Sequence, residues 1–584
     1  MKKKIICALL AASMCTVAVL SGCTNTTEPT TQSSAASSAA AEGISLPEDG
    51  GFKTVEAKAS DDKFRTYYEI FAYSFYDSDD DGVGDLKGIT KNLDYLNDGD
   101  IKTTDDLGIE GIWLMPIMPS PSYHKYNVTD YMAIDEKYGT MDDMRELTEE
   151  CHKRNINVII DFVINHTSRK HEWYQKAIEE LKTGKTDGYA QYYHFDQFKE
   201  GETRKGWQKV AGLDGNWYYE CQFDTDMPDV NLKNENVRNE LKKIVDFWLK
   251  DVGIDGFRLD AVLWYESTGI EDSVEDLKWL YDYSKTVKPD VFMVGECWSS
   301  PGDIAQFYDS GADSFFNFGM QSATGAVASA VNTKDGKGYA EHLENWQTTI
   351  LSHNPNAIDT PFISNHDTNR SAGFFLSNTT KKMAAAMYIL APGDSFIYYG
   401  EEIGMRGSGT DPDKRTGMYW SSTDSTGYVK TIPGATNTDT PEKGALEQVK
   451  DDDSLQSFYR RAVRLKSQNP EISRGKVTAV DVGNGEVAAY ISEYEGSKVM
   501  VLLNISDKAN TVNIPSDKFT IGEVRGYLKA DSGDAGASES SDPFAAITGD
   551  NQSSAQESAA EQSSDFSVKS DSVTLPPYSA IVVK

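Results

Sequence analysis

The chain is short of cysteine and short of cations. It has six Cys in 584 residues. Cys7 and Cys15 fall in an N-terminal targeting segment, and Cys23 closes it. Only Cys151, Cys221 and Cys297 remain, so at most one disulfide can form and no disulfide framework exists. Their spacing matches no zinc motif. Lys and Arg number 57 against 91 Asp and Glu, a net charge of −34. That balance excludes nucleic acid as a partner, because phosphate neutralisation needs a surplus of Lys and Arg. It fits solubility outside the cell. No Gly-rich phosphate loop follows any strand candidate, which argues against a doubly wound nucleotide-binding sheet. What the chain does have is aromatic surface, with 30 Tyr and 10 Trp able to stack on flat ligands such as sugar rings. Its length is too great for one core, so two or three domains are expected.

The N-terminus reads as a signal. Met1-Lys-Lys-Lys4 is a positive start, and Ile5 to Leu20 is an apolar stretch too short for a typical membrane span. Leu20-Ser21-Gly22-Cys23 follows directly and resembles the lipobox of bacterial lipoproteins. The resemblance implies cleavage before Cys23 and a lipid on Cys23, hence attachment to the outer face of the bacterial membrane. An ordinary secretory signal with an incidental Cys is the alternative. Residues 23–60 are rich in Ser, Ala, Thr and Glu and read as a flexible tether. A second such stretch, 531–565, reads as a disordered insertion, because strand-like sequence resumes at Ser570 and runs to Lys584.

From Tyr67 to Glu402 strand and helix patterns alternate. Eight apolar runs read as strands: Tyr68–Phe75, Ile109–Ile117, Val158–Asn165, Gly256–Val262, Val291–Cys297, Ser314–Phe318, Pro361–Asp367 and Phe396–Tyr399. Helices fall between them. Thr140 caps one, with Asp143 at its third position, and another carries Val237, Leu241, Ile244, Val245 and Trp248 and stops near Gly253. The pattern predicts a (β/α)8 TIM barrel over 61–470. A long aromatic-rich connection, 167–228, predicts a domain inserted after the third strand. Short alternating strands from about Val477 predict a C-terminal antiparallel β sandwich within 471–584.

Three runs each end in one acid: Asp260, Glu296 and Asp367. A charge at the end of a buried strand is costly unless chemistry needs it. Three of them suggest a site at one mouth of the barrel.

Taken with Gly111-Ile-Trp-Leu-Met-Pro-Ile117, Asp161-Phe-Val-Ile-Asn-His166, Met227-Pro-Asp-Val-Asn231 and Asn365-His-Asp367, these runs resemble the ordered segments of the α-amylase family of glycoside hydrolases over roughly residues 65–510. The resemblance implies hydrolysis of α-glucan or maltooligosaccharide by paired carboxylates. It implies that Asp260 is the nucleophile, Glu296 the general acid and then base, and Asp367 the acid that holds the sugar hydroxyls. Arg258, two residues before Asp260, projects to the same side of its strand, where a positive charge favours a carboxylate. Glu296 must hold its proton longer, in a drier place. His166 and His366 would bond sugar hydroxyls, Tyr126 would stack under the sugar, and Arg370 would be the charged partner of the Asn365-His-Asp367 segment.

Asp77-Ser-Asp-Asp-Asp81-Gly-Val83-Gly-Asp85 places oxygen donors at alternate positions with Gly for the turn, a set that suits calcium. It lacks an EF-hand's Glu at position twelve, where Gly88 stands. By resemblance to oligo-1,6-glucosidase-like members, the side chains of Asp77, Asp79, Asp81 and Asp85 and the Val83 carbonyl would hold Ca2+. A second ion would use Asn165 and Asp229.

Ala261 after the nucleophile favours α-1,4 bonds by the same resemblance, and Met227 to Asn231 points to a subfamily between oligo-1,6-glucosidases and neopullulanases. Two departures stand out. Leu263 and Trp264 replace a usual Lys-His pair, and Trp264 offers a stacking platform instead. Lys125 and Asn127 replace Gly and Asp beside Tyr126, and a long Lys there would narrow or recharge the cleft. The expected activity is extracellular cleavage of α-1,4-glucan through a covalent glycosyl-enzyme, with an α-glucosidase or transglycosylase on short oligosaccharides as the alternative. A non-catalytic glucan-binding lipoprotein would have lost at least one of the three acids, and all three are present.

Overall fold

The computed structural model describes residues 43–530 and 565–584. The signal segment, Cys23, the first part of the tether and all of the insertion except Asp565 lie outside the described residues. Eight parallel strands form the central sheet: β1 (Tyr67–Ile70), β2 (Gly111–Leu114), β3 (Asn157–Phe162), β4 (Gly256–Leu259), β5 (Phe292–Gly295), β6 (Ser314–Phe316), β7 (Ile358–Thr360) and β8 (Phe396–Tyr398). They run in the order β7-β6-β5-β4-β3-β2-β1-β8. The amides of Asp394 and Phe396 close the ring by donating to the carbonyls of Asp359 and Pro361 at 2.8 and 3.1 Å. The result is the expected TIM barrel. Nearly every strand residue is buried, which explains the near-continuous apolar runs. The packing is close enough that a Cβ on Gly256 would stand 1.8 Å from the Phe292 carbonyl oxygen.

The helix Met141–Lys153 starts with a capping box between Thr140 and Asp143. The helix Glu235–Asp246 is capped by Asn234, continues as a π-type segment Phe247–Val252, and stops at Gly253 with φ +86°.

The seventh strand is not where the sequence reading placed it. Pro361 has no N–H to give a ladder, and the strand is the three residues before it. Pro361 to His366 is irregular, buried chain that leaves the barrel mouth, and Asp367 at its end is partly exposed. The first run also overshoots, since Ala72–Phe75 is a helical turn.

After β3 the chain builds a helix (Glu172–Lys182) and a small antiparallel sheet from Phe195–Gln197, Trp207–Lys209 and Trp217–Glu220. The C-terminal part is two antiparallel sheets, of five and three strands. Val487, Leu502, Val512, Val573 and Ile581 belong to the core of this part. The tether reading fails from residue 43 onward. Ile44 and Leu46 pack on that core, and the Ile44 amide donates to the Val568 carbonyl at 2.8 Å. Phe52 is buried under Arg460 and Arg464. A few well-placed apolar side chains in polar sequence suffice to dock the segment. Cys151, Cys221 and Cys297 are free and buried.

Candidate active site

The site grows from inward-facing polar residues on neighbouring strands. Asp161 of β3 and Arg258 of β4 are paired in register, and both are fully buried. Arg258 Nη1 donates to Asp161 Oδ1 and Oδ2 at 2.9 and 3.1 Å. The same nitrogen donates to Asp260 Oδ1 at 2.6 Å, and Nη2 makes an ion-pair contact with Glu296 Oε2 at 3.1 Å. One guanidinium, lying over the Trp113 ring, therefore serves three carboxylates. Asp260 and Glu296 each follow directly on the C-terminal end of a strand, as the sequence predicts. Ala261 adopts a left-handed conformation (φ +51°, ψ +38°), which turns its amide onto Glu296 Oε2 at 3.1 Å. Burial pushes Glu296 up against the pull of Arg258, and Asp260 and Asp367 add to the rise, to about 7.

Asp367 arrives differently, on a turn built by Asn365. The Asn365 side chain accepts the amides of Asp367 and Thr368, both at 3.0 Å. Arg415 Nη2 donates to Asp367 Oδ1 at 2.6 Å, and His366 Nε2 lies 2.9 Å from Asp367 Oδ2. Burial favours neutral Asp367, but His366 and Arg415 outweigh it and hold the carboxyl well below the usual range. Burial likewise pulls His366 down, yet Asp367 and Glu69 outweigh it and raise the imidazole to about 9. Tyr126 stacks on His366 with ring centres 5.6 Å apart and donates to Asp161 Oδ2 at 3.0 Å. His166 is buried, its Nε2 has no hydrogen-bond partner among the described residues, and burial lowers its pKa and so favours the neutral ring. Such an unpaired nitrogen is a ready partner for a ligand hydroxyl. Trp264 stands exposed on the turn after Asp260, with Phe223 between it and His166.

Arg370 does not join this group. Its side chain donates to the carbonyls of Lys414 and Tyr399 and packs on the Tyr398 and Tyr399 rings. The cation on Asp367 is Arg415, which no sequence expectation places in the site. Lys125 does not enter the cleft either. At φ +67° it turns inward, and Nζ pairs with Asp135 at 2.6 Å. Asn127 is buried under bonds from Ser120 and Ser122. Glu69 of β1, whose Oε1 meets His366 Nδ1 at 2.5 Å, is the residue missed altogether. Its one signal is a charge inside the apolar run Tyr67-Tyr-Glu-Ile70. Phe223 and the exposed Trp298, stacked on Phe318 at 5.1 Å, left no signal in the local pattern.

In the acidic loop, carboxylate oxygens of Asp77, Asp79 and Asp85 lie within 4.8 Å of one another. Asp77 and Asp85 are buried, and Asp79 is at the rim. Asp81 stands outside this cluster and accepts the Val83 amide at 2.7 Å. Asn165 Nδ2 lies 3.4 Å from Asp229 Oδ1.

Residues 69–475 match the family model described as alpha amylase, catalytic domain. Alpha-amylase 3 of Dictyoglomus thermophilum is 36% identical over 457 residues, covering 77% of this chain and 86% of that protein. An oligo-1,6-glucosidase of Bacillus cereus is 27% identical over 537 residues, covering 77% and 92%. Among solved structures, Eubacterium rectale Amy13B superposes with a TM-score of 0.80 at 38% identity, covering 93% of this chain and 99% of that one. The alpha-amylase from H. orenii gives 0.72 at 33% identity, covering 89% and 99%. With a barrel mouth that gathers Asp260, Glu296 and Asp367 and a catalytic-domain match over most of its length, the chain belongs to the alpha-amylase family of glycoside hydrolases.

Proposed function

We propose that the enzyme cleaves α-1,4-glucosidic bonds in starch or maltodextrins with retention of configuration. The observation that carries this reading is the grip of one guanidinium, Arg258, on both Asp260 and Glu296. Such closeness suits the retaining spacing of about 5–5.5 Å rather than the wider inverting one. Asp260 attacks the anomeric carbon while Glu296 gives its proton to the leaving oxygen. A glycosyl ester on Asp260 results. Glu296, now a base, takes a proton from water, and the water oxygen displaces Asp260. Asp367, held by His366, binds the hydroxyls of the distorted sugar, and His166 Nε2 takes another. Ala261, Trp264 and Phe223 favour an α-1,4-linked chain running past the cleavage point. Proton NMR of products at early times tests the stereochemistry. The α-anomer appears first, and a β-anomer first refutes the reading.

The 27% likeness to an oligo-1,6-glucosidase favours one second reading, an α-glucosidase on short oligosaccharides. A time course on soluble starch and maltotriose separates the two. Mixed maltooligosaccharides support endo-cleavage, whereas glucose alone supports the second reading.

Arg415, not Arg370, steadies Asp367 in this scheme. Arg415→Met is expected to lower kcat/KM by about 10–100-fold, on the scale of a lost charge-assisted bond. Arg370→Met chiefly lowers the unfolding midpoint. Equal kcat/KM losses in the two variants would refute the assignment.

The acidic loop suits a hard cation. Asp77, Asp79 and Asp85 would hold calcium, and the ion would tie the loop to the start of the helix Leu86–Lys91. At a hundredfold excess over Kd it adds about 2.7 kcal/mol of stability. Chelator is expected to lower the melting temperature of the wild type and to leave Asp77→Asn unmoved. An identical melt with and without chelator refutes the site. The lipobox-like Leu20 to Cys23 supports lipid anchoring at the outer membrane face, and palmitate labelling that survives Cys23→Ala would overturn it.

A further inference from the structure

His366 has a carboxylate oxygen against each ring nitrogen, a setting that a neutral imidazole cannot satisfy. Nδ1 meets Glu69 Oε1 at 2.5 Å. Nε2 makes an ion-pair contact with Asp367 Oδ2 at 2.9 Å and a hydrogen bond with Tyr126 Oη at 2.7 Å. Tyr126 Oη also lies within donating reach of Asp161 Oδ2, which leaves it free to receive from a protonated Nε2. A neutral imidazole has one N–H, and its other nitrogen would aim a lone pair at a carboxylate oxygen. Two donors are needed.

We propose that Glu69 is a positioning residue whose carboxylate fixes His366 in the doubly protonated, cationic form, so that Asp367 faces a cation on each side while it holds the sugar. The charged and titratable groups around the ring are Glu69 on β1, Tyr126, Asp161 on β3, Arg258 on β4, Glu296 after β5, the adjacent Asp367, and Arg415. Tyr398 of β8 stands in register beside Glu69. Among the described residues only Glu69 reaches Nδ1. Arg415 takes the other oxygen of Asp367, Oδ1, and its Nε holds the His366 carbonyl at 3.0 Å. Asp367 is thus clamped between two cations. One of them, Arg415, is permanent, and the other is a cation because Glu69 makes it so. Without that charge, the Nε2 lone pair would face Asp367 and push the carboxylate out of place.

This inference rests on the reading of Asp260, Glu296 and Asp367 given above, and its test is separable from it. Glu69→Gln keeps an acceptor for Nδ1–H and removes the charge. Long-range 15N correlation on histidine-labelled protein, with His366→Asn to assign the signal, reads the ring directly without substrate. At about pH 7.5 both nitrogens are expected to be protonated in the wild type and only one in Glu69→Gln. The ratio of wild-type to variant kcat/KM on a maltooligosaccharide should be under about threefold near pH 5, where the ring is protonated anyway. It should exceed about tenfold near pH 7.5. A neutral ring in the wild type, with the proton on Glu69, overturns the proposal, as does an imidazolium in both proteins. A ratio that does not change with pH reduces Glu69 to a packing role and also overturns it. The nitrogen signals hold whatever bond the enzyme cleaves, so failure of the glucan reading shows elsewhere, in Glu296→Gln.

Discussion

Glu296→Gln is expected to lower kcat/KM on maltooligosaccharides by about 10²–10⁴-fold, the contribution of a positioned general acid. The amide keeps the size of the side chain and can still accept from the Ala261 amide, so the fold is left intact. What it cannot do is give a proton to the leaving oxygen. An aryl glucoside with a good leaving group needs no such proton in the first step, so that step loses far less. The wild-type pH profile carries the same information. Burial, with Asp260 and Asp367 adding to it against Arg258, raises Glu296 to about 7. On the proposed mechanism its protonated form is the one that starts the reaction. The rate is therefore full below about 7 and falls tenfold per pH unit above it. In Glu296→Gln that alkaline limb is absent. Measuring kcat/KM from pH 5 to 9 on both substrates decides the matter, and a variant that keeps full activity and the same limb sinks the assignment.

The barrel and the two strand-end acids were legible because each is a local pattern. An apolar run of four to six residues ending in a single carboxylate describes both Gly256 to Asp260 and Val291 to Glu296 without reference to the rest of the chain. Asp367 was legible as an acid but not as a strand end. Its segment looks equally apolar, and only the missing amide of Pro361 shows that the ladder stops before it. Charge partners were the hardest to read, because they are set by long-range contact. Arg370 sits three residues from Asp367 in sequence, yet Arg415, forty-eight residues away, makes the bond. Glu69 lies 297 residues from His366. Lys125 misled for a related reason. Its positive φ sends a long side chain inward to Asp135, a direction that spacing along the chain cannot give. The docked segment after residue 43 shows the same limit, since composition averages over the few side chains that pack.

Arg258→Met should be among the most damaging single changes in the protein. The guanidinium is fully buried and is the shared cation of Asp161, Asp260 and Glu296. Removing one partner from a buried ion network leaves uncompensated charge, at a cost of about 3–5 kcal/mol. Here the acids left behind are close together, and each makes the others harder to ionise. They respond by taking up protons. Burial already pushes Asp161 and Glu296 upward while Arg258 resists, so without it both rise further. A carboxyl whose folded pKa lies above its unfolded value costs stability at high pH and recovers it as the pH falls toward the unfolded value. The deficit in Arg258→Met is therefore expected to shrink in urea unfolding as the pH falls toward 7, where the variant's carboxyls protonate before the wild type's, and to level off below it. Adding Asp161→Asn removes one of the stranded charges and should restore part of the stability at pH 7. It should restore none of the activity, because Asp260 still lacks the cation that holds it in place for attack. A single variant as stable as the wild type at pH 7, or a double variant that regains hydrolysis, would show that the three carboxylates do not depend on Arg258 as their distances to it indicate.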